Sequence, residues 1–319
     1  MTEKADAPLG NSGEADADWK TLDWERNWGK WGPDDQKGSL NYVTPEVTLN
    51  ALKLVKEGKV YNLAVPMQRR SPIFPGHDPI IYSTMRDGGD YKAGYARYAS
   101  PDVGVFLDRA MMETNTYTHC DALNHVWFGD KLYNGYSRDC VRSDGSSKLG
   151  IEHMTGVVTR GVLLDVAAYE GVDFLDGNYE ITGDILDKVA KWEKVEIKTG
   201  DMLCIRTGFG WELMEKEEEK PLPPLPHPGL VLSAAKWATD REVCALFIDC
   251  VGMDKAPFPP RPCALACHMW LEWAHGTYGG QAFYFAELSK DKVYTFCFMG
   301  APVRIVGAAG GWIVPLAIK

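Results

Sequence analysis

Within the eleven residues Asn115-Thr116-Tyr117-Thr118-His119-Cys120-Asp121-Ala122-Leu123-Asn124-His125 the chain places two imidazoles, a carboxylate and two amides. Successive side chains of an extended backbone alternate faces, so His119 and Asp121 point to one side and Cys120 to the other. His125 follows after a short bend. Imidazole and carboxylate converging on one face suit a divalent metal such as zinc or manganese. They equally suit general acid–base chemistry. One His in a polar loop is ordinarily just solvated; here the clustering points to a site.

Other reactive residues are weaker signals. His268, Glu272 and His275 lie at i, i+4 and i+7 of a predicted helix and would share a face. The order H-x-x-x-E is not the H-E-x-x-H of zinc proteases. Arg206 ends a predicted strand, where it could bind a substrate carboxylate or pair internally. His227-Pro-Gly-Leu follows a Pro-rich stretch and reads as a loop anchor or a ligand contact, and His77 and His153 show no partner pattern. There is no G-x-S-x-G elbow for a serine nucleophile. The Gly-rich run Gly307-Ala-Ala-Gly-Gly lies near the chain end with no helix after it, against dinucleotide binding.

Composition narrows the classes. The chain has 319 residues, 45% hydrophobic, with a formal net charge of −10. That length supplies a sizeable core, and an acidic chain without a basic stripe argues against nucleic-acid binding. No apolar run reaches a membrane span of about 18 residues. The first residues lack an apolar secretory core, so a cytoplasmic location is expected. The eight cysteines then read as buried free thiols rather than a disulfide framework. Cys263-x-x-x-Cys267-His268 could be half of a zinc site, but no second half has ligand spacing.

Residues 1–18 are rich in Ala, Asp, Glu and Gly and read as a disordered acidic tail, leaving 19–319 as one domain. Trp19, Trp24, Trp28 and Trp31 read as aromatic anchors packing onto the body, or onto a partner subunit. A homo-oligomer, dimer or tetramer, is expected. Thr44-Pro45-Glu46 starts a helix, with Gly58 as its stop, and Val60–Val65 reads as a strand. Residues 66–102 read as a long loop whose Tyr82, Tyr91, Tyr95 and Tyr98 could line a pocket or cover the core. Further strands are predicted at Val157–Val166, Met202–Arg206, Val243–Asp249, Val293–Met299 and Gly310–Ile318. Helices are predicted from Thr182 to Trp192, over Leu230–Thr239 and over Ala264–Ala274. The Glu215–Lys220 run and residues 221–228 read as a solvated segment and a loop. This alternation indicates a mixed α/β or α+β chain.

The histidine segment resembles the signature H-x-G-T-H-x-D-x-P-x-H of the metal-dependent cyclase/hydrolase superfamily, which includes bacterial kynurenine formamidase, isatin hydrolase and trans-dienelactone hydrolase. Thr118, His119, Asp121 and His125 fall in place. Asn115 stands where the signature has its first His, Tyr117 where it has Gly, and Leu123 where it has Pro. Trp31-Gly-Pro-Asp-Asp, Gly38-Ser-Leu-Asn-Tyr, Val157–Asp165, Arg206-Thr-Gly, His227-Pro-Gly-Leu and Gly276–Leu288 resemble further segments, so the likeness runs from about residue 25 to 319.

The resemblance implies the swivelling β/β/α fold, with a central sheet and outer helices. It implies a hydrolase that opens a small cyclic or aryl amide, lactam or lactone through metal-bound water. His119, Asp121 and Gln281 are the expected ligands, Gln281 standing where the family has a Glu. His125 is the expected base or a fourth ligand, and His268 the group that assists the leaving group. Asn115, Trp127, Phe128, Tyr133 and Arg206 are expected to contact the small-molecule substrate. Dinuclear members use the first His and the late Glu to hold two ions. The neutral Asn115 and Gln281 imply one divalent ion, manganese or zinc. A non-catalytic binding homologue and a metal-dependent lyase or isomerase are the alternatives.

Overall fold

Nine short strands build the centre of the molecule: β1 (Val60–Asn62), β2 (His119–Asp121), β3 (Val157–Asp165), β4 (Met202–Arg206), β5 (Ala245–Ile248), β6 (Tyr278–Gln281), β7 (Thr295–Gly300), β8 (Gly310–Trp312) and β9 (Leu316–Ile318). The computed structural model describes residues 20, 22–95, 102–216, 225–258 and 263–319. The strands form one mixed sheet in the order β1-β9-β7-β3-β4-β5-β6-β2-β8. Strands β3 to β6 run parallel, and the flanking pairs are antiparallel. The chain is thus a mixed α/β protein with a curled central sheet and helices around it.

The parallel strands are apolar on both faces, as strands covered on both sides must be. Val162, Leu164, Leu203, Ile205, Leu246 and Ile248 face one core, shared with the helices Gly183–Glu193 and Leu232–Thr239. The alternate residues Leu163, Met202, Cys204, Ala245 and Phe247 face a second core with Phe283, Phe296 and Phe298. Phe247 stacks on Phe283 with ring centroids 4.3 Å apart. Burying such a side chain fully stabilises by about 1.5–3 kcal/mol. Gly161 in β3 permits close packing across the sheet: a Cβ there would lie 2.1 Å from Phe296 Cε2.

Several expected elements form where their chemistry puts them. Thr44 accepts a hydrogen bond from the Val47 amide and caps Pro45–Leu52. Thr182 accepts from Ile185 and caps Gly183–Glu193. The first of these helices ends at Leu52, before Gly58, whose φ is +69°. Trp24 packs on Trp270, Trp28 on Trp273 and Trp31 on Tyr42; Trp19 and the tail before it lie outside the described residues.

Three expectations are corrected. Residues 66–102 are not one loop: they contain the strand Ile81–Arg86 and the helix Gly88–Ala93, and the strand pairs with Leu107–Met111 as a projecting ribbon. Tyr82 and Tyr95 are exposed rather than packed on a core, and Tyr98 lies outside the described residues. Gly310–Ile318 is two strands, because Pro315 has no amide to continue a ladder. The helix over Ala264–Ala274 is α only at Ala266–His268 and is a π-helix over Met269–Ala274. Among the described residues no helix is long and apolar enough to cross a membrane.

Candidate metal centre

Sheet register assembles the centre. Strand β2 is flanked by β6 and β8, with Gln281 and Trp312 opposite His119 and Gly310 opposite Asp121. Directly opposed residues share a face, so His119, Asp121 and Gln281 emerge on one side of the sheet. Cys120 is fully buried in the core on the other side. Thr118 anchors the strand, donating to Ala282 O at 2.6 Å and accepting from the Val65 amide at 2.9 Å. A turn closed by the bond from the His125 amide to Ala122 O brings His125 back over the strand. His268 arrives from the short α-helix.

Three imidazoles face one carboxylate. His119 Nε2 and His125 Nε2 lie 3.5 and 4.0 Å from Asp121 Oδ1, and His268 Nε2 lies 3.8 Å from Asp121 Oδ2. The distances from His125 and His268 exceed any hydrogen bond. All three lie within about 4.2 Å, the greatest separation of two ligands each about 2.1 Å from one ion. Ligand atoms of Asp121, His125 and His268 all lie within 4.8 Å of one another. The outer ring atoms are held as metal-binding imidazoles require: His119 Nδ1 bonds to Tyr117 O at 2.7 Å, and His268 Nδ1 to Asp254 Oδ2 at 2.5 Å. The residues present therefore fit a divalent cation.

The electrostatics agree with a cation site. Burial would raise the Asp121 carboxyl, but His125, His119 and His268 outweigh it and hold it well below the usual range. Burial opposes charge on His268, yet the Asp254 carboxylate pulls its pKa up to about 10. A bound cation must displace that proton. Burial lowers His125, against the pull of Asp121.

These groups open into a cavity of about 280 Å³. Its other walls are Phe74, His77, Asn115, Val251–Asp254, Phe258, Leu265 and Gln281. Phe74 and Phe258 are stacked, with centroids 5.7 Å apart and planes 6° from parallel. His77 pairs with Glu113 at this wall.

Sequence reasoning placed His119, Asp121, His125, His268, Gln281 and Asn115 here, and the cavity brings all six together. Ligand atoms of His125 and His268 converge with those of Asp121, and the expected ligands His119 and Gln281 lie beside the same carboxylate, His119 Nε2 3.5 Å from Oδ1 and Gln281 Nε2 2.8 Å from Oδ2. Four expected contacts lie elsewhere. Arg206 is buried in ion pairs with Asp165 and Glu212 at 2.8 and 2.5 Å. Tyr133 is buried in the second core, Phe128 packs on Trp273, and Trp127 is 44% exposed; none of them lines the cavity. His275 is also absent, stacked on Trp270 beside a separate cavity. A π-turn spends an extra residue, which rotates His275 off the face of His268.

Asp254, Phe74 and Phe258 carried no motif. Asp254 did leave a trace. The helix at Ala266 follows Leu265, which has no capping side chain, and Asp254 supplies the missing acceptor to the Cys267 amide at 2.7 Å.

Comparison with known proteins places the chain. Residues 61–255 match the family model described as "Putative cyclase". A solved structure titled as a novel cyclase is 32% identical, with a TM-score of 0.83, covering 93% of this chain and all of that one. Isatin hydrolase A from Ralstonia solanacearum is 18% identical with a TM-score of 0.58, over 82% of this chain and 92% of its own. A predicted metal-dependent hydrolase from Bacillus stearothermophilus is 17% identical with a TM-score of 0.52, over 81% and 97%. These last two likenesses are likenesses of fold. No curated protein matches. With the family model spanning more than half of its length, and a cyclase structure matching it nearly end to end, the chain belongs to the cyclase family.

Proposed function

We propose that this chain is a metal-dependent hydrolase that opens a small cyclic or aryl amide, lactam or lactone. The observation that carries the reading is the set of imidazole nitrogens around Asp121 at the floor of an aromatic-walled cavity. Asp121, His125 and His268 would hold the cation, and three protein ligands leave a position open as catalytic sites do. A divalent ion supplies Lewis acidity and lowers the pKa of water. His119, 3.5 Å from Asp121, and His77, oriented by Glu113, remain to move protons. The stacked Phe74 and Phe258 offer a flat apolar wall, and a cavity of this size suits a small ligand.

No covalent acyl-enzyme is needed. Burial pushes the Cys120 thiol well above its usual range, and its side chain faces the core. The name of one structural neighbour, an isatin hydrolase, supports hydrolysis on this fold. Zinc or manganese in a cytoplasmic homo-oligomer completes the proposal. The test strips the metal with a chelator, restores zinc or manganese, and assays lactones, lactams and N-formyl anilines. Turnover that needs the restored metal supports the reading. Turnover that survives complete metal removal, or none on any of the panel with metal bound, sinks it.

A further inference from the structure

A chain of formal net charge −10 gathers Arg160, Lys194, Lys198, Lys292 and Lys319 around one cavity of about 360 Å³. This cavity lies by β3, β7 and β9 and shares no lining residue with the one at the metal centre. In the sheet, β4 and β5 stand between β3 and β6. Two of the cations are already paired. Arg160 Nε lies 2.9 Å from Asp201 Oδ1, and its guanidinium also donates to Glu196 O at 2.7 Å. Lys319 Nζ lies 3.0 Å from Glu57. Lys194, Lys198 and Lys292 are exposed and pair with no acid among the described residues. Lys198 meets Asp201 only at longer range, and that carboxylate is the one Arg160 holds.

Two acids line the same cavity. Glu193 does not offset the lysines. It is 8% exposed, and burial raises it from 4.5 to about 9, so it keeps its proton at neutral pH. Its Oε1 accepts the Asp165 amide at 2.7 Å, while Oε2 has no hydrogen-bond partner among the described residues. That leaves Glu196, which is exposed, against three free ammonium groups. Helix capping does not account for the lysines either. Lys194 and Lys292 come just after the helices Gly183–Glu193 and Ala286–Lys290, where a basic side chain commonly serves the last carbonyls. Main-chain amides already do so here. Lys194 N donates to Ala190 O and Lys191 O, Lys292 N to Ser289 O, and Val293 N to Leu288 O. Both lysines hold a left-handed φ, +59° and +53°, that suits glycine better.

The geometry points to a second ligand site, a cationic cavity that takes a small diphosphate through Lys194, Lys198 and Lys292. Three compact ammonium charges on flexible stems suit the several charged oxygens of a diphosphate, which needs no planar fork. A cavity of this size holds a small ligand. Unpaired cations concentrated on an acidic molecule also steer such an anion to this face. A diphosphate comes free or carried on a nucleoside. Trp192, 48% exposed and edge-on to Tyr294 of the cavity, is the surface on which a base would stack. The site is independent of the metal and of the hydrolase reading.

The experiment is calorimetric titration of the full chain with pyrophosphate and with ADP, at pH 7 and low salt. Pyrophosphate should bind, and more weakly as salt is added. Lys194→Gln/Lys198→Gln/Lys292→Gln should lower its affinity about 10–100-fold, a few-fold for each exposed ion pair lost. A control with the same loss of charge at exposed lysines elsewhere, Lys53→Gln/Lys92→Gln/Lys236→Gln, should keep it. Lys194→Gly guards against misfolding. Its φ suits glycine, so the melting temperature should hold or rise while affinity falls a few-fold. ADP binding more tightly than pyrophosphate assigns the nucleoside-borne diphosphate; equal or weaker ADP binding assigns the free anion. No binding of either by the wild type overturns the site, and so does an equal loss in the control. Affinity that survives the triple variant also overturns it, because the anion then sits elsewhere, the metal centre included.

Discussion

At the scale of single residues, the centre depends on partners that do not touch the substrate. Asp254 holds His268 through Nδ1 and caps the helix that carries it. Asp254→Asn should weaken zinc binding about 10–100-fold, read by chelator competition; unchanged affinity would count against His268 as a ligand. Cys120→Ala should stay active and yield no acyl adduct by mass spectrometry, since its side chain lies on the core side of β2. An adduct trapped on the wild-type Cys120 would overturn hydrolysis without a covalent intermediate. The residues legible in advance were those sharing one strand and its periodicity, His119 and Asp121. Gln281 and His268 were placed by resemblance. Asp254, Phe74 and Phe258 come from loops whose convergence is a property of the whole sheet, and local spacing carries no record of it.

Among the elements, those with a repeating apolar pattern could be read from composition, and Met202–Arg206 is found where expected because every residue in it is buried. The ribbon Ile81–Arg86 with Leu107–Met111 was missed because it covers no core. Its residues are exposed on both faces, apart from the half-buried Ser83, so no alternation marks it. Arg206 shows the opposite difficulty. Its type suggested a substrate contact, but its guanidinium ties β4 to Asp165 in β3 and to Glu212. Arg206→Ala should destabilise the fold by about 3–5 kcal/mol, the cost of leaving buried charges unpaired, with KM unchanged in the molecules that fold. A raised KM with a normal melting temperature would return Arg206 to the substrate. Gly161→Ala should cost about 1–3 kcal/mol by overpacking, because Phe296 fills the space a Cβ needs. Equal denaturation midpoints for this variant and the wild type would show that the sheet relaxes around the methyl group.

For the whole molecule, buried carboxyls set how stability responds to pH. Burial, with Asp165 nearby, raises Glu193 from 4.5 to about 9. Below the unfolded value both states hold its proton. Between there and about 9 only the folded state does, so folding weakens as pH rises through that window and levels off above it. The melting temperature should therefore fall more steeply from pH 5 to 9 in the wild type than in Glu193→Gln, and parallel profiles would show that Glu193 ionises normally. Burial raises Asp249 to about 7, which adds a slope of the same sign. A last consequence follows from the π-turn at Met269–Ala274, in the language of phase. A regular helix advances about 100° per residue, so positions seven apart return almost to the same bearing. One extra residue in the turn delays the rotation by about one such step. That phase lag lets a single helical segment address two separate cavities, with His268 in one and His275 in the other. Deleting one residue from the turn would leave six regular steps of about 100° between the two histidines, so His275 would keep its bearing away from His268 and the strand that delivers Gln281 need not rotate.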